Sequence, residues 1–287
     1  MPRSSEEVRI LTSGDIPQVR RLLETSEYIY QRFTLDELPG ILAHYPALGV
    51  FDGSSLRGFI LSQTVHAPSA WIAGFCVSWT ENRAYARLLH MLLDQLAPRL
   101  TSQGVRHLHY SGNDIEHDWL HDVLLTQGFV PYRSLYAYDK YDYHIPTLGN
   151  QQVVIRPFQA GDIPALLTIE EACFEDLWRY DTISFQDIAA THPYFVVAEL
   201  DGTVIGYQFN ALDDDYGYLV RIAVHPSVSG RGIGARLMAE AIRFFKGARV
   251  TRIMLNTQDD NIQAHRLYEW FGFLRIQQVG FVLRKNL

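Results

Sequence analysis

Residues 222–237 read Ile-Ala-Val-His-Pro-Ser-Val-Ser-Gly-Arg-Gly-Ile-Gly-Ala-Arg-Leu, and this stretch decides the fold. It leaves a β-rich run at 216–224, crosses a turn holding Gly230, Gly232 and Gly234, and enters an amphipathic helix. Ile233, Leu237, Ala241 and Phe244 recur at i, i+4, i+8 and i+11 along that helix, and Gly247 is placed to close it. Strand, glycine turn and helix together gather backbone N–H groups around an anion, and the helix N-terminus adds about half a positive charge. Arg231 and Arg236 add more. The bland alternative is a tight connection in which glycine only relieves strain. No G-K-[ST] triplet follows, which excludes a Walker-type nucleotide site. A dinucleotide fold carries such a turn after its first strand, whereas this one follows a fourth.

A second signal lies downstream. Residues 261–273 read Asn-Ile-Gln-Ala-His-Arg-Leu-Tyr-Glu-Trp-Phe-Gly-Phe, with Ala264, Leu267, Tyr268 and Phe271 on one helical face and Gly272 as the C′ residue. The two segments together resemble the cofactor motifs of the GNAT acetyltransferase superfamily, with RimI-type N-terminal acetyltransferases nearest in pattern. The resemblance spans residues 153–285 and reaches the first half only through an internal repeat. It implies an α/β (α+β) fold whose mixed, mostly antiparallel sheet is flanked by helices. It also implies acetyl-coenzyme A as acyl donor and a primary amine as acceptor (small molecule, peptide or protein N-terminus), by direct attack in a ternary complex.

Carried over by position, the backbone amides of Arg231, Gly232, Ile233, Gly234 and Ala235 would hold the pyrophosphate, after a turn opened by Ser229 and Gly230. Ser229 stands where the family has Gln or Arg. Ile222, Ala223 and Val224 would pair with the pantetheine arm, Asn261 would hydrogen-bond it, and Ala264 completes the second motif. Tyr268 falls at the family's general acid. A phenol with a pKa of about 10 stays protonated at neutral pH and can donate to a thiolate whose conjugate acid lies near about 8.5. As a core aromatic it would need only a satisfied hydroxyl. An oxyanion would be met by a backbone N–H near Ala223 or Val224.

The base is harder to find. RimI-type enzymes carry a carboxylate twelve residues before the tyrosine, and that position here is Asn256; another family position falls near Tyr218. The remaining candidates are Asp213, Asp214, Asp215, Glu170 and Glu171, although an aspartate run in a hairpin is usually a solvated turn. The missing carboxylates keep open a non-catalytic acyl-coenzyme A sensor, and a donor such as succinyl- or propionyl-coenzyme A also stays open. Residues 173–185 form the segment that roofs the acceptor cleft in this family. Trp178 and Tyr180 there would pack on the acceptor or fill core, and Glu175, Asp176 and Asp181 favour a cationic one.

The chain is also a repeat. Gly14-Asp-Ile-Pro recurs as Gly161-Asp-Ile-Pro, an offset of 161 − 14 = 147. Asp52-Gly53 recurs as Asp201-Gly202, and Gly128-Phe129 as Gly272-Phe273. In each copy the Asp suits an N-cap and the Pro the first turn. Each half reads β–α–α–β–β–β–α–β–α–β, giving two tandem domains at 1–147 and 148–287, with residues 139–152 as linker. The first copy is worn. Residues 77–89 match the glycine turn but hold no glycine, and the asparagine and tyrosine positions are His117 and Leu124. The first domain is therefore expected not to bind cofactor.

The net charge of −7 over 287 residues disfavours nucleic acid as a partner. The polar N-terminus has no apolar leader segment, and the longest apolar stretch, near residues 70–77, is too short for a membrane. Two unpaired cysteines, Cys76 and Cys173, fit a reducing cytoplasm. Among His107, His109, His117 and His121, the i, i+4 pair with Asp neighbours reads as a solvated surface, so no metal is expected. A monomer and a homodimer fit the sequence equally.

Overall fold

A computed structural model describes residues 6–78 and 84–287, the side chain of Val65 excepted. Residues 79–83, the middle of the first half's counterpart to the glycine turn, and residues 1–5 of the polar N-terminus lie outside the described residues. The chain divides into two compact units. Unit 1 comprises residues 1–132 with 282–287, and unit 2 comprises 133–281.

Unit 1 runs β1 (Glu6–Ile10), α1 (Ile16–Thr25), β2 (Tyr28–Gln31), α2 (Leu38–His44), β3 (Ala47–Asp52), β4 (Ser55–His66), β5 (Ser69–Val77), α3 (Tyr85–Ser102), β6 (His107–Gly112) and α4 (His121–Thr126). The chain enters unit 2 along β7 (Val130–Lys140) and continues through β8 (Val154–Pro157), α5 (Ile163–Cys173), α6 (Thr182–Thr191), β9 (Tyr194–Leu200), β10 (Thr203–Leu212), β11 (Tyr216–Val224), α7 (Ile233–Ala248), β12 (Arg252–Gln258), α8 (Ile262–Trp270) and β13 (Leu274–Asn286). From β8 onward the order is the one read from the sequence. Unit 1 adds one element, β2.

The division falls at 132/133 rather than near Thr147. The reason is strand pairing: β7 pairs antiparallel with β12 over six residues, Ile253 opposite Lys140 to Gln258 opposite Leu135. Residues 133–140 are thereby held in unit 2, while the Leu287 N–H donates to the Arg106 carbonyl in unit 1 at 2.9 Å.

The repeat appears in local geometry as well as in sequence. Arg9 grips Asp15 in one copy and Arg156 grips Asp162 in the other, each through both guanidinium nitrogens at 2.7 to 3.0 Å. These aspartates stand at the cap positions, but their carboxylates accept from the Thr12 and Gln159 N–H groups before the helix. They fasten the preceding strand to the helix rather than satisfying the helix's own amides. Both Asp-Gly hairpins put glycine at positive φ (Gly53 +59°, Gly202 +75°), as both helix ends do at Gly128 and Gly272.

In unit 2 the sheet order is β7–β12–β11–β10–β9–β8, antiparallel except for β11 with β12. Helix α7 buries Ile233, Leu237, Met238, Ala241, Ile242 and Phe245 on one face of it. It ends one residue beyond Gly247, where Arg249 itself takes the left-handed conformation at φ +59°. Helices α5 and α6 cover the opposite face with Leu166, Ile169 and Phe185 against Phe195, Tyr207 and Phe209. Removing such side chains from water contributes about 1.5–3 kcal/mol each.

Candidate functional site

Two departures from a regular sheet make the cleft. Strands β10 and β11 shift register between Phe209 and Asn210, a bulge that leaves Val220 without an opposite residue. Bulges bend the strand that carries them. Strands β11 and β12 pair over three residues, Tyr216 to Tyr218 against Arg252 to Met254. Beyond Tyr218, β12 stays with β7 while β11 stays with β10. One edge of β11 through Ile222–Val224 is left without a strand partner among the described residues.

A cleft of about 820 Å³ occupies that position. One wall is the end of β11, with Ile222, Ala223 and Val224. The floor is the turn and first residues of α7, with Ser229, Gly230, Gly232, Ile233, Gly234 and Ala235. The facing wall is α8, with Asn261, Ala264 and Tyr268. Arg231, the remaining residue expected from sequence, is exposed and does not line it; its carbonyl accepts from the Asn150 side chain at 3.0 Å. Gly230 and Gly232 sit at φ +76° and +74°, a conformation that disfavours any side chain. Cys173 and Phe174, which open the segment expected to roof the acceptor cleft, line it at the end of α5; Arg266 and Trp270 on α8, which sequence reasoning did not select, line it as well. Arg266 and Trp270 share a face at i, i+4, but two residues out of step with Tyr268, so the periodicity that singled out Tyr268 gave no signal for them.

Tyr268 is 5% exposed, with its ring edge-on to Tyr138 at 5.6 Å. Burial, and then the neighbouring Tyr218 and Tyr138, push its hydroxyl pKa above the usual phenol value, so it holds its proton at neutral pH. Among the described residues nothing hydrogen-bonds that hydroxyl. Behind it, the His265 Nε2 lies 3.3 Å from the Asp259 carbonyl, which can only accept, so Nε2 carries the proton and Nδ1 accepts from the Tyr138 hydroxyl at 2.6 Å. Asn261 caps α8, its side-chain oxygen accepting from the Ala264 N–H at 3.2 Å. Its side-chain amide hydrogens are the groups left to meet a ligand. Cys173 donates its thiol to the Val224 carbonyl at 3.2 Å, and burial pushes the thiol pKa up to about 11.

The carboxylates considered as bases are placed elsewhere or otherwise engaged. Asp213–Asp215 sit in the exposed hairpin before Tyr216, about 30 Å or more along the strand from Val224 at about 3.3 Å per residue. Glu171 is exposed on α5. Glu170 is buried and closed in a network: it accepts from Tyr207, from the Tyr180 N–H at 2.7 Å and from Arg221. Arg221 in turn donates to the Trp178 carbonyl and stacks on Phe174 and Tyr180. Tyr180 and Trp178 thus belong to this network. At the two family base positions, Asn256 donates to the Tyr218 hydroxyl at 2.5 Å. Among the described residues lining the cleft, none is Asp, Glu or His.

Comparison with known proteins follows the same outline. Residues 163–273 match the acetyltransferase (GNAT) family. An uncharacterized N-acetyltransferase of Methanocaldococcus jannaschii is 31% identical over 123 residues, which cover 42% of this chain and 78% of that protein. A mycothiol acetyltransferase of Thermomonospora curvata is 30% identical over 132 residues, covering 43% of this chain and 44% of the other. The solved structure of a tandem GNAT protein from the clavulanic acid biosynthesis pathway superposes with a TM-score of 0.62 at 14% identity, covering 98% of each chain. At that identity the likeness is one of fold, and its extent includes both halves.

Proposed function

The chain belongs to the GNAT acetyltransferase family, and we propose that unit 2 moves an acetyl group from acetyl-coenzyme A to a primary amine of a small molecule or peptide. The observation that carries this reading is the juxtaposition in one cleft of an open β11 edge, a left-handed glycine turn at a helix N-terminus, and the buried phenol of Tyr268.

These residues fit acyl-coenzyme A. Backbone amides of residues 231–235 hold the pyrophosphate, aided by the helix N-terminus. The free edge of Ile222–Val224 takes the pantetheine amides as another strand would, and Asn261 donates to the same arm. When bound, acyl-coenzyme A supplies an activated acyl group and a good leaving thiolate. Tyr268 holds the proton that the departing sulfur takes up, and a backbone N–H near Ala223 or Val224 meets the developing oxyanion. With no base among the described cleft residues, the amine attacks as its own free base.

Unit 1 is silent toward the cofactor for a second reason besides its lost glycines. Offset by 147, Phe75–Val77 of β5 correspond to Ile222–Val224, and β2 pairs with that edge: Tyr28 opposite Val77, Ile29 opposite Cys76, Tyr30 opposite Phe75. Strand β4 already covers the other edge of the same residues. The chain's own strand therefore fills the pantetheine slot. The protein works in the cytoplasm, where acetyl-coenzyme A and reduced cysteines coexist.

Release of free thiol from acetyl-coenzyme A in the presence of a broad amine panel tests the reading. Turnover with any amine, lost in Tyr268→Phe while coenzyme A still binds, supports it. Binding with no turnover on any amine makes the chain an acyl-coenzyme A sensor, and a preference for succinyl- or propionyl-coenzyme A changes the donor.

A further inference from the structure

We infer that the segment at residues 148–152, just ahead of β8, is a positioning element that aims the phosphate-binding amides, with Asn150 as its working residue. This inference rests on the acyl-coenzyme A reading of unit 2.

The geometry is specific. The Asn150 side-chain Nδ2 donates to the Arg231 carbonyl at 3.0 Å, and its backbone N–H donates to the Gly232 carbonyl at 3.1 Å. A trans peptide is planar, so a carbonyl and the N–H of the following residue point to opposite sides. Fixing the Arg231 carbonyl therefore turns the Gly232 N–H away from Asn150, and fixing the Gly232 carbonyl does the same for the Ile233 N–H. Gly232 and Ile233 both line the cleft. Two successive peptide planes are held from behind so that their donors face forward.

Glycine turns are the most freely rotating backbone in a protein, and Gly232 has no side chain to restrain it. Asn150 supplies that restraint at the Arg231–Gly232 peptide and shares the Gly232 carbonyl with the Arg236 N–H of α7, which also donates to it at 3.1 Å. It is itself held by an Asx turn, its Oδ1 accepting from the Gln152 N–H at 2.9 Å. Gly149 brings the segment this close. At φ +67°, a methyl group there would lie 2.3 Å from the Arg236 N and 2.6 Å from the Gly232 carbonyl oxygen. The Gly149 N–H donates to the Thr147 hydroxyl at 3.2 Å, which fixes the approach.

Two substitutions separate positioning from mere turn-making. Asn150→Ala removes both side-chain bonds. Asn150→Asp keeps an oxygen for Gln152 but replaces the donor to Arg231 with a carboxylate. If Asn150 only shapes its own turn, Asp behaves like Asn. If it aims the amides, Asp is the worse of the two, because an acceptor then faces an acceptor and a negative charge sits behind a phosphate site. Binding of coenzyme A by titration calorimetry should weaken about tenfold in Asn150→Ala, the effect of one lost hydrogen bond, and more in Asn150→Asp. The kcat at saturating acetyl-coenzyme A should stay within about twofold, with both variants melting near wild type. Asn150→Asp binding as wild type does overturns the inference, as does a fall in kcat with KM unchanged. Wild type failing to bind coenzyme A is a different result, and it overturns the acyl-coenzyme A reading itself.

Discussion

Arg221 Nη1 lies 3.1 Å from both carboxylate oxygens of Glu170, a side chain 1% exposed to solvent. A carboxylate held this way is neutralised by an arginine that has no other acid in reach, and removing either charge strands the other in the interior. Glu170→Gln should therefore act on stability, lowering it by about 3 kcal/mol in a urea titration, the typical cost of breaking a buried pair. Its kcat below the melting transition should remain within a few-fold of wild type. A stable variant with kcat down a hundredfold would make Glu170 the missing base instead.

Tyr268→Phe should have the opposite profile. The ring packing against Tyr138 and Phe273 is retained, so the melting temperature should hardly move. Loss of a positioned proton donor costs about 10²–10⁴ in rate. Stopped-flow or steady-state kcat should fall in that range while the dissociation constant for coenzyme A stays unchanged.

The pH dependence follows from what the cleft lacks. Tyr268's pKa is raised, so its protonated form persists across the neutral range and contributes no falling limb there. No described cleft residue is an Asp, Glu or His that would set a rising limb. The kcat/KM should therefore rise tenfold per pH unit up to the acceptor amine's own pKa. For an α-amine that is about 7.7–8.0, and for a lysine-like amine about 10.4. A plateau reached at one pH for both amines would reveal an enzyme base.

How much of this was legible in the sequence depends on periodicity and punctuation. The glycine turn, Asn261 and Tyr268 were readable because each serves a local element, a turn, a cap or a helix face. The order of unit 2 came from the same signals. Three features were not readable, because each depends on residues far apart in the chain. The pairing of β7 with β12 moved the division to 132/133, and no local feature of residues 130–140 announces it. The Glu170–Arg221 pair spans two elements, so Glu170 looked as available as Glu171. Residues 139–152 read as a linker from Pro146 and Gly149, although Gly149-Asn150 packs directly behind the glycine turn.

The paired arginine–aspartate clasps predict how stability responds to acid. The Arg156 guanidinium, with the Gln159 N–H, holds the Asp162 carboxyl below the usual carboxylate range, and Arg9 does the same for Asp15. A folded pKa below the unfolded one means the stabilisation is present above about pH 4 and is lost as pH falls through the lowered value. Asp162→Asn should thus be less stable than wild type at pH 7 by about 1.5 kcal/mol, since Arg156 keeps its bond to Glu199. Urea titrations should show the gap narrowing as pH falls through the lowered value and wild type is protonated too. A gap independent of pH would mean that the clasp acts by shape alone.

The same offset that aligns the clasps aligns β2 with an empty place in unit 2. Tyr28–Gln31 lies in unit 1 along the β5 edge, whereas the corresponding residues 175–178 form a short 3-10 turn that does not pair with β11 as a strand. Backbone amides of a strand paired on both sides exchange slowly, and those of an open edge exchange fast until something covers them. Hydrogen exchange should therefore show Phe75–Val77 protected with or without coenzyme A, and the Ile222 and Val224 amides, which face the open edge, protected only with it, while Ala223 faces β10 throughout. Calorimetry on the same sample should give one site per chain. Two sites, or new protection at Phe75–Val77 on adding coenzyme A, would mean that β2 is displaced and that unit 1 binds the cofactor after all.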